Sequence, residues 1–425
     1  MRVFPRHTVN LDASAYVTYF KHLKDATIVE GPEVAAFERS FAQYIGAPMC
    51  IGVSSARAGF YLALKGLGVG SGDEVIMPAY NFPSMPAAVI ATGARPVFVD
   101  ADPETFNIDP ALAAKAVTQK TAAIVATHLF GRAAEMEPLV ELAEANESWL
   151  IEDCAHAAGT IYKGARVGTF GDAAVFSFGV GKNMPCFGGG AITMRDRELA
   201  GKVRKFVNNA GAPDELDIHR KVWSALPPWA ATRPWVFPWT MYVAERVLDT
   251  LGSDAIDEWT REPLSKMTRF SLRSLGRMAN LEAAVALDQL GKIHKRNATL
   301  ARNGRYLAEA LADVPTIQAP APVEGEEHIY LYFRVLVPEA RRFRSMLLKR
   351  GIDTQSDDMA DCAALDAFKV SAADCPVAAS LPEKSIELPN NVFLSRGDLD
   401  YIAAAVKDVA KAVSDALEAG GKRAK

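Results

Sequence analysis

The sequence predicts an α/β protein in which helices cover both faces of a mostly parallel sheet. Short apolar, strand-like segments alternate with segments that carry apolar residues at helical spacing, from residue 51 to residue 207. This alternation is typical of parallel sheets, because the connection between two parallel strands leaves room for a helix. His128, Asp153 and Ser177 stand at the ends of strand-like segments. Ligands bind at the carboxyl ends of strands in such sheets, so we expect a site there.

The predicted elements follow one another along the chain. Residues 1–32 are expected to form an extended arm, and residues 32–44 a helix, because Val34, Phe37, Phe41 and Tyr44 recur at helical spacing. Strands are predicted at 51–55, 73–78, 96–99, 122–127, 149–152, 172–178 and 190–194, and helices at 56–67, 110–117, 136–145 and 195–207. A smaller mixed unit follows, with helices at 298–311, 339–350 and 399–417 and a strand at 329–337.

Length and composition indicate a globular protein with two domains. The chain has 425 residues, of which 49% are hydrophobic and 23% are charged. We expect a large domain at 1–275 and a smaller C-terminal α/β domain at 276–425. The net charge of -4 gives no reason to expect nucleic-acid binding.

The cysteines and the first residues of the chain indicate the cellular compartment in which the protein is expected. The chain has 5 cysteines and no Cys-x-x-Cys pair, which predicts free thiols in a reducing compartment, with neither a metal site nor a disulfide framework. The first seven residues lack the apolar core of a signal peptide. No run of about eighteen apolar residues is present to span a membrane. We therefore expect a cytoplasmic protein.

Ser54 and Ser55 stand between a predicted strand and a predicted helix. The first N–H groups of a helix are unpaired and its dipole favours an anion there, so this junction is suited to a phosphate group. The alternative is that a serine simply caps the helix. No Gly-x-Gly-x-x-Gly motif follows the first strand, which argues against a dinucleotide enzyme.

Lys182 lies between an apolar strand and the triple glycine 188–190. Burial disfavours the charged form of a lysine, and an amine with a lowered pKa can form a Schiff base with an aldehyde. The alternative is an ordinary loop lysine followed by a turn. Asp153 ends a strand about thirty residues earlier. Pyridoxal phosphate requires a lysine for its aldehyde and a carboxylate for its ring nitrogen, and this pair meets both needs.

These motifs together resemble the DegT/DnrJ/EryC1/StrS family of pyridoxal-phosphate-dependent (sugar) aminotransferases. The family carries Glu-Asp-x-Ala-His/Gln, then Phe-Ser-Phe with a lysine four residues on, then a glycine pair. Here these motifs read Glu152-Asp153-Cys154-Ala155-His156, Phe176-Ser177-Phe178 with Lys182, and Gly189-Gly190. The likeness covers about 31–209 and resumes at 277. It implies fold type I of the pyridoxal-phosphate enzymes, the aspartate aminotransferase-like fold.

The resemblance also implies roles for single residues. Lys182 would be catalytic, holding the cofactor and carrying a proton, and Asp153 would keep the ring nitrogen protonated. The other cofactor-binding residues would be Ala56, Arg57, Phe82, His156 and Ser177. Phe82 would lie against the ring, His156 near it, and Ser177 at the phosphate. Ala56-Arg57 replaces the family's usual Gly-Thr pair. We expect His128 to be structural.

The implied reaction moves an amino group from glutamate or glutamine to a keto sugar, usually nucleotide-linked, in surface polysaccharide or secondary-metabolite biosynthesis. The resemblance implies a homodimer with the active site at the interface. Two alternatives stay open: an aminotransferase acting on a lipid-linked or other apolar ketone, and a non-catalytic relative that binds pyridoxal phosphate and regulates. The family's histidine after the Gly351-Ile352 turn is absent, which weakens the expectation of a nucleotide-linked sugar and keeps the first alternative open.

A tryptophan- and proline-rich insertion is predicted at about 210–275. Four of the 6 tryptophans fall within 223–239. They could contact a membrane surface or an apolar tail, or form a cap packed on the protein or its partner. We favour the cap, because the prolines are expected to exclude a long amphipathic helix.

Overall fold

A seven-stranded sheet lies at the centre of the protein, whose computed structural model describes residues 2–252, 263–356 and 359–423. The strands are β1 (Met49–Val53), β2 (Glu74–Pro78), β3 (Tyr80–Asn81), β4 (Arg95–Val99), β5 (Thr121–Thr127), β6 (Trp149–Asp153), β7 (Ile161–Tyr162), β8 (Ala165–Arg166), β9 (Ala173–Ser177), β10 (Gly190–Met194), β11 (Glu326–Glu327), β12 (Phe333–Leu336), β13 (Ala360–Asp361) and β14 (Ser385–Leu388). The large sheet has the order β1-β10-β9-β6-β5-β2-β4. Its strands β9, β6, β5, β2 and β4 are parallel, whereas β10 is antiparallel to both neighbours. The predicted mostly parallel sheet is confirmed.

Helices cover the sheet on both faces. The helices among the described residues, including those of the C-terminal unit, are α1 (Ala13–Lys24), α2 (Glu33–Ile45), α3 (Ala56–Gly66), α4 (Ser84–Thr92), α5 (Pro110–Ala116), α6 (Met136–Ala145), α7 (Arg197–Asn209), α8 (Glu215–Ala231), α9 (Met241–Thr250), α10 (Leu264–Met267), α11 (Asn280–Leu311), α12 (Ala340–Lys349), α13 (Pro376–Lys384) and α14 (Arg396–Arg423). Ile76 of β2 packs into the core under α2 and α6, and its neighbours Val75 and Met77 pack into the core under α3, α4 and α7. Both faces of a central strand are thus buried, which is why its sequence is a continuous apolar run.

A third core holds the C-terminal unit together. It contains Phe333 and Val335 of β12 together with residues of α12 and α14. Helix α11 begins beside the first core, at Leu281, and ends in the third, at Leu311. The segment around Phe368 packs into the second core, on the large sheet. The chain therefore passes between the two units more than once, and the domain boundary at residue 275 stays a prediction.

Residues 13–24 form a helix, so the prediction of an extended arm over this segment is wrong. The buried residues of α1 are Ala15, Tyr19 and His22, which recur at helical spacing. Val17 and Phe20 are apolar as well but are exposed. Because apolar residues therefore surround the helix, the sequence gives no clear amphipathic stripe.

Helix α8 contradicts the expectation that prolines exclude a long helix near residue 227. It is 17 residues long and includes Pro227 and Pro228. A proline removes one backbone hydrogen bond from the turn before it. Each proline lacks only its own N–H donor, so the other backbone hydrogen bonds of the helix can remain, and both prolines fall close to its C-terminal end at Ala231.

The tryptophan-rich insertion is partly packed on the protein itself. The predicted range 210–275 includes 253–262, which lie outside the described residues. The Trp229 indole donates a hydrogen bond to the carbonyl of Leu11 at 2.6 Å. Trp223, Trp235 and Trp239 are half or more exposed.

Among the described residues, each helix is too short or too polar to cross a membrane.

Candidate active site

A cavity of about 310 Å³ opens at the carboxyl ends of the central strands. The seven residues that the sequence predicts for the site all line it: Ala56, Arg57, Phe82, Asp153, His156, Ser177 and Lys182. These residues belong to different parts of the chain. They meet in one cavity because β1, β2, β6 and β9 each end at this edge of the sheet. A larger cavity, of about 850 Å³, lies between α9 and α12, but none of these residues borders it.

Lys182 stands in a tight turn just after β9. Its backbone N–H donates to the carbonyl of Gly179 at 2.9 Å. The Nζ atom lies 6.0 Å from the centre of the Tyr332 ring, and the Tyr332 hydroxyl donates to the carbonyl of Gly181 at 2.9 Å. The turn that carries the lysine is thereby tied to the segment leading into β12.

Asp153 is a buried carboxyl group at the end of β6. Its Oδ1 accepts a hydrogen bond from the backbone N–H of Ala155 at 3.0 Å. Burial raises the pKa of Asp153 above its ordinary value, against the lowering effects of that hydrogen bond and of the charges on Lys182 and His128. A carboxyl group in this setting becomes a stable anion when a cationic ring nitrogen is bound beside it.

His156 is held as a neutral ring. Its Nδ1 accepts a hydrogen bond from the backbone N–H of Phe130 at 3.4 Å, which leaves the proton on Nε2. The ring is nearly parallel to that of Phe130, with centroids 6.0 Å apart, and meets the Tyr332 ring edge-on at 5.2 Å. Burial, then the charges of Lys182 and Arg334, lower the pKa of His156 well below its ordinary value.

The N-terminus of α3 forms the opposite wall of the cavity. The Ser55 side chain caps the helix, accepting from the N–H of Ala58 at 3.2 Å. The Ser54 hydroxyl donates to the carbonyl of Ser274 at 2.7 Å. Ala56 and Arg57 form the first turn and line the cavity. The positive end of the helix dipole and the Arg57 side chain thus lie together at this wall of the cavity. Both would stabilise a bound anion there.

The triple glycine is required by crowding within the chain. A Cβ atom on Gly190 would lie 2.6 Å from the Phe176 carbonyl oxygen and 2.7 Å from the Ala56 nitrogen. A Cβ atom on Gly188 would lie 2.6 Å from a carboxylate oxygen of Glu282. The atoms near Gly190 are backbone and cannot move aside as the Glu282 side chain can, so the strand can reach α3 only without a side chain at residue 190.

Several cavity residues were missed by sequence reasoning. Tyr332 and Arg334 line the cavity, and their spacing of two on a predicted strand places them on one face, which was the available signal. Lys221 reaches the cavity from α8, where its Nζ lies 3.3 Å from Glu282 and 3.2 Å from Asp217. The pair with Asp217, four residues earlier, is an ordinary pair on a helix surface, and Glu282 is 61 residues away, so the local sequence does not mark Lys221 as a cavity residue.

Solved structures of similar architecture identify the class of protein. The chain overlays on DesV of S. venezuelae, solved in complex with a ketimine intermediate, with a TM-score of 0.76 and 28% sequence identity, covering 96% of this chain and 99% of that one. The fold, with a lysine and a buried aspartate in one cavity, is that of the pyridoxal-phosphate-dependent aminotransferases. This confirms the fold class that the sequence predicts.

The chain belongs to the DegT/DnrJ/EryC1/StrS aminotransferase family, whose model matches residues 12–226 and 243–407. It is 31% identical to the dTDP-3-amino-3,4,6-trideoxy-alpha-D-glucose transaminase of Streptomyces venezuelae, over 91% of this chain and 89% of that one. It is 29% identical to a spore coat polysaccharide biosynthesis protein of Bacillus subtilis, over 92% of each. The gap between the two matched ranges, 227–242, lies within the predicted insertion.

The protein is thus a transaminase, and its cofactor is pyridoxal 5'-phosphate. The cavity fits this group chemically. It offers an amine for the aldehyde at Lys182, a buried carboxyl for the ring nitrogen at Asp153, and a helix N-terminus for the phosphate. Phe82 lines the cavity with an aromatic surface suited to a flat ring.

Proposed function

We propose that this protein transfers an amino group from glutamate or glutamine to a keto sugar, nucleotide-linked, in the biosynthesis of surface polysaccharides or secondary metabolites. The observation that carries the proposal is that Lys182 and Asp153 line one cavity in a chain of this family. The names of the two curated relatives support a sugar substrate and a place in polysaccharide or amino-sugar synthesis. The choice of glutamate or glutamine as the amino donor is supported by family membership alone.

Pyridoxal phosphate, when bound, supplies a conjugated ring that withdraws electrons from the carbon bearing the amine. Lys182 would hold the cofactor through its amine and, once released from it, would carry a proton. The negative charge of Asp153 would keep the ring nitrogen protonated. Phe82 would offer its aromatic face to the ring, and His156 would serve near it as a neutral donor through Nε2.

The phosphate of the cofactor is assigned to the N-terminus of α3. The first backbone N–H groups at Ala56 and Arg57, the Arg57 guanidinium and the Ser177 hydroxyl would bind its oxygens. Tyr332 would hold the lysine turn in place, since its hydroxyl donates to the carbonyl of Gly181 and its ring lies near Nζ of Lys182.

We further propose a cytoplasmic homodimer with its active sites at the interface. Family membership supports the dimer, and so do apolar side chains that are exposed in the single chain. Val17 and Phe20 of α1 and Trp223 of α8 form one such surface, where Phe20 and Trp223 meet edge-on at 6.4 Å. A second copy of the chain would remove these side chains from water.

The test is an amino-transfer assay with defined keto sugars. Wild-type enzyme, loaded with pyridoxal phosphate, is incubated with glutamate and a panel of nucleotide-linked keto sugars, and products are identified by mass spectrometry. The proposal expects an amino sugar and 2-oxoglutarate in equal amounts, no product with Lys182→Ala, and full activity with Lys202→Ala, a change at an exposed lysine of α7. If only a lipid-linked ketone gives product, the substrate is an apolar ketone and not a nucleotide-linked sugar. If no acceptor gives product, a regulatory role is favoured.

A further inference from the structure

Helix α9 and the residues that flank it carry a row of apolar side chains that faces water. Val243, Val247 and Leu251 follow at intervals of four residues, which places them along one face of the helix. Trp239 stands just before the helix. These four residues, the apolar stripe, are half or more exposed, up to 81% at Trp239. Apolar side chains on a protein surface usually occur singly, so a row of four indicates an interaction surface.

The polar residues of α9 face the protein instead. The buried residues of the helix are Tyr242 and Glu245. Oε1 of Glu245 lies 3.5 Å from Nη2 of Arg6, and both side chains are buried. Asp249 accepts a hydrogen bond from the Ser345 hydroxyl at 3.0 Å. A surface helix of a globular protein normally turns its polar face to water and its apolar face to the core. In α9 this arrangement is reversed, so its outer face is suited to apolar surroundings.

Aromatic side chains extend the apolar surface before α9. Trp235, four residues before Trp239, is exposed, and its ring meets the exposed Phe393 ring edge-on with centroids 6.4 Å apart. The Arg233 guanidinium lies 5.6 Å from the centre of the Phe393 ring. Tryptophan is enriched where a protein meets the boundary between membrane and water, because its ring is apolar and its N–H is polar. Two exposed tryptophans beside the stripe therefore favour a lipid surface as its partner.

Cations border the stripe on the side of α12. This helix has 10 residues, and it contains four cations and no acidic residue: Arg341, Arg342, Arg344 and Lys349. Arg341 donates a hydrogen bond to the carbonyl of Gly252, the residue after Leu251, so the cations begin at the C-terminal end of the stripe. Arg341, Arg342 and Lys349 are exposed. An apolar surface bordered by cations is complementary to a membrane that contains anionic lipids.

We propose that the apolar stripe binds the surface of a membrane that contains anionic lipids. Its side chains would enter the boundary between headgroups and acyl chains, and the cations of α12 would contact lipid phosphates. This is the membrane contact that the sequence left as an alternative for the insertion. It does not depend on the substrate proposed for the enzyme.

A second copy of the chain is the other candidate for covering the stripe. The proposed homodimer has its active sites at the interface, whereas none of the four stripe residues lines the active-site cavity. The apolar surface assigned to that dimer belongs to α1 and α8. The charges of α12 also favour the lipid, because an equally cationic copy of the same helix would repel it if the two stripes met.

The first test is flotation of full-length holoenzyme with lipid vesicles. Vesicles of phosphatidylcholine and phosphatidylglycerol in equal amounts are compared with vesicles of phosphatidylcholine alone. We expect wild type to float with the anionic vesicles, and less at high salt, because salt screens the attraction. Val243→Ser combined with Val247→Ser should weaken binding by roughly tenfold or more, through the loss of buried apolar groups. Val323→Ser combined with Val370→Ser, at two exposed valines outside the stripe, should bind like wild type.

The second test locates the contact by tryptophan fluorescence. Vesicles with brominated acyl chains quench the emission of tryptophans that enter the bilayer boundary. We expect quenching of wild type, and loss of most of it in Trp235→Phe combined with Trp239→Phe. Trp223→Phe, at an exposed tryptophan of α8, should keep the quenching.

Charge reversal on α12 tests the electrostatic part of the contact. Arg342→Glu combined with Lys349→Glu should abolish the preference for anionic vesicles. Lys202→Glu combined with Lys205→Glu, at two exposed lysines of α7, makes the same change in net charge and should keep that preference. If the serine variant does not fold, as judged by its circular dichroism, the comparison of these two glutamate variants decides the question, because all four positions are exposed.

Three results would overturn the membrane assignment. The first is wild-type protein that floats with neither kind of vesicle. The second is equal binding by the stripe variant and its control, which would place the contact elsewhere on the protein. The third is found by analytical ultracentrifugation: if the serine changes in the stripe dissociate an oligomer of a wild type that binds no vesicles, the stripe is an interface between copies of the chain.

Discussion

Glu152 and His128 form a fully buried pair directly beside Asp153, the aspartate predicted to bind the cofactor. His128 Nε2 lies 3.1 Å from Oε2 of Glu152, and neither side chain is exposed. His128 Nδ1 accepts from the N–H of Ala134 at 3.0 Å, so the proton on Nε2 is donated to Glu152. Glu152 also accepts from three backbone N–H groups of residues 168–171, at 2.6 to 2.9 Å. The pair therefore fixes the end of β6 and the position of Asp153, and this geometry agrees with the structural role expected for His128.

Replacing Glu152 by alanine should destabilise the fold severely. The change would leave two buried N–H groups, one partly buried N–H group and His128 without their acceptor, at about 1–3 kcal/mol for each buried group, so we expect a loss of at least about 3 kcal/mol in the free energy of unfolding. Urea denaturation followed by fluorescence measures it. Glu144→Ala, at an exposed position of α6, is the matched control. Equal stability of the two variants would contradict this account.

Replacing Gly190 by alanine should disrupt the junction between the sheet and α3. The added Cβ atom would collide with backbone atoms at 2.6–2.7 Å, and backbone cannot turn away as a side chain can. We expect a loss of about 3 kcal/mol or more and weaker cofactor binding. Gly201→Ala in α7 has nothing within 4 Å of its new Cβ and should instead stabilise by about 1 kcal/mol. Thermal unfolding of both variants decides the point, and a stable Gly190→Ala protein with normal cofactor affinity would refute it.

Asp153→Asn should preserve the stability of the protein but abolish most of its activity. Burial raises the pKa of Asp153, so the folded, cofactor-free protein binds a proton there more readily than the unfolded chain does. The contribution of Asp153 to the free energy of unfolding therefore decreases as pH rises from about 3.8 through the folded pKa. An asparagine removes this effect, so the cofactor-free variant at pH 7 should be as stable as wild type or more so, by about 1 kcal/mol.

The same variant should lose catalysis, because no anion is left for the ring nitrogen. We expect the donor half-reaction to slow by on the order of 10²–10³. Stopped-flow absorbance with glutamate measures the rate, and calorimetry of cofactor-free protein measures the stability. A variant that keeps the wild-type rate would remove Asp153 from the mechanism.

His156→Gln should make the free energy of unfolding depend less on pH in the acid range. The pKa of His156 is lowered well below 6.5 in the folded protein, by burial and by the charges of Lys182 and Arg334. The unfolded chain therefore binds a proton that the folded protein does not, and stability falls as pH drops below about 6.5. The variant lacks this contribution, so the difference in its unfolding free energy between pH 7 and pH 5 should be smaller than that of wild type. Parallel curves for the two proteins would show that His156 is protonated without penalty in the fold.

Much of the fold could be predicted from the sequence, because local patterns set it. The strands of the large sheet are apolar on both faces, and their runs predict their positions to within a few residues. The motif around Asp153 and the Phe-Ser-Phe segment before Lys182 are local as well, so they could be predicted to lie at the carboxyl ends of strands.

The remaining features depend on contacts between distant residues. Helix α1 lacks a clear apolar stripe and is attached by Asp12, whose partner Lys292 lies 2.7 Å away across the fold. The cation at Lys221 is paired with a residue of another helix, Glu282. Arg334 is placed at the cavity by the pairing of β12 with β14, where it faces Glu387. None of these partnerships leaves a pattern in a single segment.

The absorbance spectrum of the loaded enzyme, before and after L-glutamate, shows whether this cavity is a transaminase active site. We expect a visible band from cofactor held by Lys182, its loss on adding glutamate, and no such band in Lys182→Ala. Lys202→Ala should behave like wild type. A band that persists unchanged in Lys182→Ala, or one in wild type that responds to neither glutamate nor glutamine, would contradict the assignment of this cavity as a transaminase active site.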